Sequence, residues 1–205
     1  MRIIAGMRRG MNLLPPKGHQ TRPITDRAKE ALFSVLHKYD LVDNGVIADL
    51  FCGTGSMGLE CLSRGARWVT FVDRDPNVMD RLGRNIAKAR FVEASKVVRA
   101  DAFKVGAPWP DPAAAQERYD VVFVDPPYRM TYDTAADSPL GRLLRALADS
   151  VVPEGLVVVR THHRSTLVEV YDELRVIDRR QWGTTAVSLL QRQPIPPSDP
   201  SGSSS

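Results

Sequence analysis

Cysteine is nearly absent: Cys52 and Cys61 are the only two in 205 residues, and they lack metal-ligand spacing. A reducing cytoplasm is the expected setting, with no metal implied. No run of about 18 apolar residues exists, which excludes a membrane-spanning helix. Met1 to Gly6 lacks the long apolar region of a signal peptide. Histidine is scarce too, and His19, His37, His162 and His163 have no carboxylate-rich partner motif, so neither metal ligation nor histidine catalysis is expected. There is no internal repeat.

What is present suits one compact domain with a small appendage: 43% apolar and 25% charged residues in a chain long enough to bury a sizeable core. The net charge of +4 is unevenly placed. Residues 1–38 carry Arg2, Arg8, Arg9, Lys17, Arg22, Arg27, Lys29 and Lys38 against Asp26 and Glu30, which is +6, leaving −2 for the rest. A basic arm on a near-neutral body suits phosphate binding, and is equally what a solvated arm looks like. The boundaries read as a basic arm and helix over 1–40, a main domain over 41–192, and a Pro/Ser/Gly-rich disordered tail over 193–205.

The arm suggests a hairpin between Arg2–Ala5 and Asn12–Leu14. Thr25 then caps a helix whose apolar positions are Ala28, Leu32, Val35, Leu36 and Tyr39. From Val46 onward strands and helices alternate. Strands are expected at 46–50, 68–72, 96–100, 119–124 and 156–160, with helices at 56–63, after Asp75-Pro76, and after Ser138-Pro139. A closing hairpin pairs 174–180 with 186–191 around Gly183. Apolar strands alternating with helices imply a parallel sheet covered on both faces, with ligands beyond the carboxyl ends of its strands.

Reactive residues fall at those ends. Asp49-Leu50-Phe51-Cys52-Gly53-Thr54-Gly55-Ser56-Met57-Gly58 follows the first strand. Gly53 and Gly55 let backbone approach a ligand, and Gly58 lets the helix pack closely. The spacing alone also fits a dinucleotide fingerprint or a bare turn. Asp49, Asp73 and Asp101 end successive strands, where they suit an ammonium, a ribose diol and an adenine amine. S-adenosylmethionine carries all three groups. Any one acid is otherwise a helix N-cap, as Asp75 is expected to be.

The fourth strand runs into Asp125-Pro126-Pro127-Tyr128. Two prolines fix φ and remove two donors, leaving carbonyls as rigid acceptors. An exocyclic base amine is a poor nucleophile because its lone pair is delocalised into the ring. Asp125 and the Pro126 carbonyl suit its two hydrogens, turning nitrogen density toward a methyl donor. In-line placement of this kind can lower a barrier by about 7–11 kcal/mol. Tyr128 offers a stacking face worth roughly 1–3 kcal/mol, against the few kcal/mol needed to extrude a base.

The segments 49–58 and 125–128, in that order, resemble the Rossmann-like methyltransferases acting on amines of nucleic-acid bases. Arg2-Ile3-Ile4-Ala5-Gly6, the run Arg22 to Phe33 and the run Asp49 to Ala66 narrow the resemblance to bacterial RsmD-type 16S rRNA guanine-N2 methyltransferases, over roughly residues 1–192. It implies a seven-stranded class I methyltransferase sheet with a C-terminal antiparallel hairpin, S-adenosylmethionine as donor, and a guanine of small-subunit rRNA in an assembled or assembling 30S particle as acceptor. No obligate protein partner is implied. Carried over, Asp49, Phe51, Gly53, Gly55, Asp73, Arg74, Asp101 and Ala102 line the cofactor, and Asp125, Pro126, Pro127 and Tyr128 form the catalytic segment. Arg8, Arg9, Arg22 and Arg27 become the RNA contacts. Cys52 stands where the family has alanine, Asp73 where it has glutamate, and Lys29 where it has arginine; the loop 129–134 is less familiar.

Three other readings remain open at the level of sequence. The Asp-Pro-Pro-Tyr chemistry also serves a DNA adenine or cytosine amino-methyltransferase, although the short chain leaves little room for a sequence-reading domain. The glycine spacing alone suits a nicotinamide-dependent oxidoreductase. A non-catalytic RNA-binding assembly factor would retain the fold and the basic arm.

Overall fold

The computed structural model describes residues 1–16, 24–111 and 116–193. Arg22 and the tail from residue 194 lie outside them. Eight strands form one sheet: β1 (Val46–Leu50), β2 (Trp68–Asp73), β3 (Ser95–Arg99), β4 (Tyr119–Val124), β5 (Val151–His162), β6 (Val170–Tyr171), β7 (Leu174–Trp182) and β8 (Thr185–Arg192). Their order is β3-β2-β1-β4-β5-β8-β7-β6. The first five are parallel and the last three antiparallel. The seven expected strands gain an eighth, β6, whose two residues are too few to show a period.

The parallel strands are apolar on both sides because both faces are covered. In β1 and β4, Ile47, Val121 and Phe123 face one core with Leu32, Phe33, Leu59 and Leu82. Val46, Ala48, Leu50, Val122 and Val124 face the other, with Leu140, Leu143, Leu144 and Leu147. The helices are α1 (Asp26–Leu36), α2 (Ser56–Ser63), α3 (Pro76–Ala89), α4 (Ala102–Val105) and α5 (Pro139–Leu147). Thr25, Asp75 and Ser138 cap α1, α3 and α5 as their sequence positions indicate, each accepting a backbone N–H of the first turn.

The arm is part of the core rather than an appendage. Arg2 and Asn12 form an antiparallel bridge, and Ile3 and Leu13 are buried with Leu32, Phe33 and Leu36 of α1 against the first core. No described helix is long and apolar enough to cross a membrane.

Candidate active site

In this topology β1 is flanked by β2 on one side and β4 on the other, so chain connections diverge between β1 and β4. A crevice opens beyond the carboxyl ends of such a pair. There lies a cleft of about 960 Å³. It brings together Asp49, Phe51, Gly53, Asp73, Arg74, Asp101 and Ala102 with Asp125, Pro126, Pro127 and Tyr128. The two motifs, far apart in sequence, therefore share one cavity.

Asp49 ends β1 almost fully buried, and its Oδ2 accepts from Gly58 N–H at 2.8 Å. That N–H belongs to the first turn of α2, whose own N-cap position is Gly55 and lacks a side chain. Asp49 thus takes over the capping of α2, leaving Oδ1 for another donor. Burial raises the Asp49 carboxyl to about 8, against the opposing Gly58 bond and with help from the Asp125 and Asp73 charges.

The glycines divide their work differently from the expectation. Gly53 lines the cleft, and a Cβ there would meet nothing within 4 Å. Gly55 does not line it. Its φ is +86° and a Cβ would sit 2.5 Å from Leu82 Cδ1, so glycine there serves the turn and the packing of α3. At Gly58 a Cβ would meet the Phe71 ring at 2.3 Å, which sets how closely α2 lies on β2. Phe51 holds a left-handed φ of 58° with its ring 4.9 Å from that of Phe103. Backbone held in this region by a bulky residue concentrates at ligand sites.

Asp73 Oδ2 accepts from Gly53 N–H at 2.9 Å and Oδ1 from Asp75 N–H at 3.0 Å, so it braces the loop while facing the cleft. Asp101 is an N-cap as well, accepting from Phe103 N–H. Its other oxygen lies 3.4 Å from Arg74 Nη1, whose side chain is largely exposed. Ala102 is buried beside it.

At the other end of the cleft, Tyr128 begins a short 3-10 turn and its hydroxyl meets Thr185 Oγ1 at 2.5 Å, tying the ring to β8. Asp125 Oδ1 faces Arg160 Nε at 2.6 Å. Burial raises the Asp125 carboxyl, and the Arg160 charge and contact pull it back. Sequence reasoning missed Arg160 and also His162. Arg160 carried a signal, a cation at a strand's carboxyl end, but nothing tied it to Asp125. His162 lines the cleft, its ring 5.6 Å and edge-on to Tyr128 and 4.3 Å from His163, so the two histidines lie together where alternation along an extended strand would have parted them. Partial burial, then His163 and Arg164, lower the His162 pKa. Cys52 and Cys61 are buried fillers whose thiols burial pushes up.

The basic arm is largely bound to the body. Arg8 Nε donates to Ala89 O at the end of α3 and its guanidinium covers Phe91. Arg81 and Lys88 of α3 donate to Pro15 O and Asn12 O, strapping the arm to that helix. Lys29 is buried, reaching Arg2 O, Ser56 Oγ and, at 3.4 Å, Glu60 Oε2. Arg9 and Arg27 are exposed.

S-adenosylmethionine fits what these residues present. A buried carboxylate with one oxygen uncommitted suits its ammonium, a glycine loop open to the cavity suits its extended body, and acids at the ends of β2 and β3 suit its nucleoside. Among the described residues, no group of three or more His, Cys, Asp or Glu is arranged to hold a metal.

A family described as Conserved hypothetical protein 95 matches residues 1–191. The chain is 31% identical to Ribosomal RNA small subunit methyltransferase D of Escherichia coli K12 over 195 residues, covering 94% of this chain and 90% of that protein. It is 32% identical to the methyltransferase of the same description from Haemophilus influenzae over 169 residues, 82% of each. A solved hypothetical protein of Thermus thermophilus superposes with a TM-score of 0.72 at 30% identity, over 92% of this chain and 98% of that one.

Proposed function

This chain belongs to the family described as Conserved hypothetical protein 95, the RsmD family, and from that premise we propose that it methylates the N2 amine of a guanine in small-subunit ribosomal RNA. The carrying observation is that the glycine loop after β1 and the Asp-Pro-Pro-Tyr segment after β4 line one cleft. S-adenosylmethionine is the donor: its sulfonium methyl becomes bonded to the amine nitrogen as the carbon–sulfur bond breaks onto sulfur. Asp49 takes the donor's ammonium, Asp73 its ribose and Asp101 its adenine amine, with Phe51, Arg74 and Ala102 flanking. Gly53 gives backbone access, and Gly55 acts only through packing.

Asp125 and the Pro126 carbonyl accept the two amine hydrogens and turn the nitrogen toward the methyl. Pro127 stiffens that backbone, and Tyr128 stacks the extruded base. After transfer the nitrogen sheds a proton to solvent, so no strong base is needed. Arg9 and Arg27, with Arg22 of the same arm, meet RNA phosphates; Arg8 is committed to α3. The substrate is an assembled or assembling 30S particle in the cytoplasm. A nicotinamide or purely binding role leaves the Asp-Pro-Pro-Tyr segment without a task.

The test is incubation with labelled S-adenosylmethionine and 30S particles from a strain lacking its own enzyme of this type, followed by nucleoside analysis. Label in N2-methylguanosine is expected, lost in Asp125→Ala. Label in DNA amino groups, or none in rRNA, rejects the reading.

A further inference from the structure

We infer that Arg160 is a positioning residue for methyl transfer: it holds Asp125 as an ionised, correctly turned acceptor for the base amine. This rests on the function proposed above. Arg160 stands near the carboxyl end of β5, next to β4 in the sheet, which points it across the exit of the strand that delivers Asp125. Its Nε lies 2.6 Å from Asp125 Oδ1, and the two side chains are only 15% and 25% exposed. Oδ1 is itself buried, so the carboxylate presents its other oxygen to the cleft, beside Pro126 and Tyr128.

The chemistry needs this partner. An exocyclic amine offers only donors to the site, so Asp125 is useful only as an acceptor, and a protonated carboxyl would lose acceptor capacity and turn an O–H toward the nitrogen lone pair. The surroundings push toward protonation. Burial disfavours charge at Asp125; Asp49 on β1, itself raised to about 8 and so largely neutral near pH 7, and Asp73 on β2 are the other acids of the cleft. Arg129 of the same loop is exposed, and His162 on β5 and the Tyr128 hydroxyl lie to the side. Arg160 is the cation in contact with Asp125. An opposite charge this close lowers a carboxyl pKa by about 1–3 units. The close approach of Nε to Oδ1 also limits the carboxylate's rotation, a placement that a flexible lysine would not reproduce.

The experiment is a pH–rate profile of full-length Arg160→Gln and Arg160→Lys acting on 30S particles, with S-adenosylmethionine affinity and thermal stability measured alongside. For Arg160→Gln the acid limb of kcat moves up by about 1–3 pH units, with at least a tenfold loss of kcat near neutrality and little change in donor affinity. For Arg160→Lys the limb stays in place while kcat falls several-fold. A folded Arg160→Gln with an unmoved limb overturns the inference; if the glutamine variant does not fold, Arg160→Lys decides the matter, because a kcat equal to wild type there overturns it as well. Wild type that fails to methylate 30S particles at any pH sinks the functional reading instead.

Discussion

At the residue scale, the cleft works by holding acids in states that water would not favour. Asp49 titrates near 8 in the fold against about 3.9 in an unfolded chain. For an acid raised in this way, the stability it allows is present at low pH and is lost as pH rises toward and through 8. A donor ammonium reverses the balance by favouring the ionised form. Binding S-adenosylmethionine at about pH 6.5 should therefore release close to one proton, whereas at about pH 9.5 Asp49 is already ionised and the donor's own amine, largely neutral there, takes one up. Calorimetry in buffers of different ionisation enthalpy reads this directly, and buffer-independent heats at the lower pH would contradict it. Tyr128 gives a second expectation. Tyr128→Ala should lower kcat/KM for the RNA by about 10- to 100-fold, as a lost stacking contact does. Tyr128→Phe keeps the face, loses only the Thr185 bond, and should cost far less. Equal losses would mean that the hydroxyl, not the ring, matters.

At the element scale, the cleft depends on helices held by unusual partners. Asp49 caps α2 from a strand. Glu60, fully buried on α2, accepts from Ile4 N–H, Ala5 N–H and Arg64 and pairs with Lys29 of α1. One carboxylate thus fastens the arm, α1 and α2 together. Glu60→Ala leaves Lys29 buried without its counter-charge and should cost about 3–5 kcal/mol, seen as a lower denaturant midpoint. A loss below about 1 kcal/mol would show that the pair is dispensable, as exposed pairs often are. The sequence made the starts of α1, α3 and α5 legible to the residue because Thr25, Asp75 and Ser138 are local signals. It could not show Glu60 as an anchor, since its partners come from residues 4, 5 and 29, brought near only by folding.

At the scale of the whole molecule, the +6 charge of residues 1–38 overstates the arm's capacity for RNA. Arg8 is committed to the end of α3 and Lys29 is buried, while Arg81 and Lys88 of α3 tie the arm down from the surface. Replacing exposed Arg9 and Arg27 by alanine should reduce the slope of log affinity against log salt for 30S binding by about 2, one per phosphate contact. An unchanged slope would move the RNA face elsewhere on the protein.

Element order, the loop after β1, the acids at successive strand ends and the Asp-Pro-Pro-Tyr turn were readable in advance, because caps, glycines, prolines and apolar periods act over a few neighbouring residues. The eighth strand, the packing role of Gly55, the docking of the arm and the Arg160–Asp125 pair were decided only by tertiary structure. Each depends on residues distant in the chain meeting across a sheet or a helix face, and no local pattern encodes which of several cations or apolar side chains will arrive there.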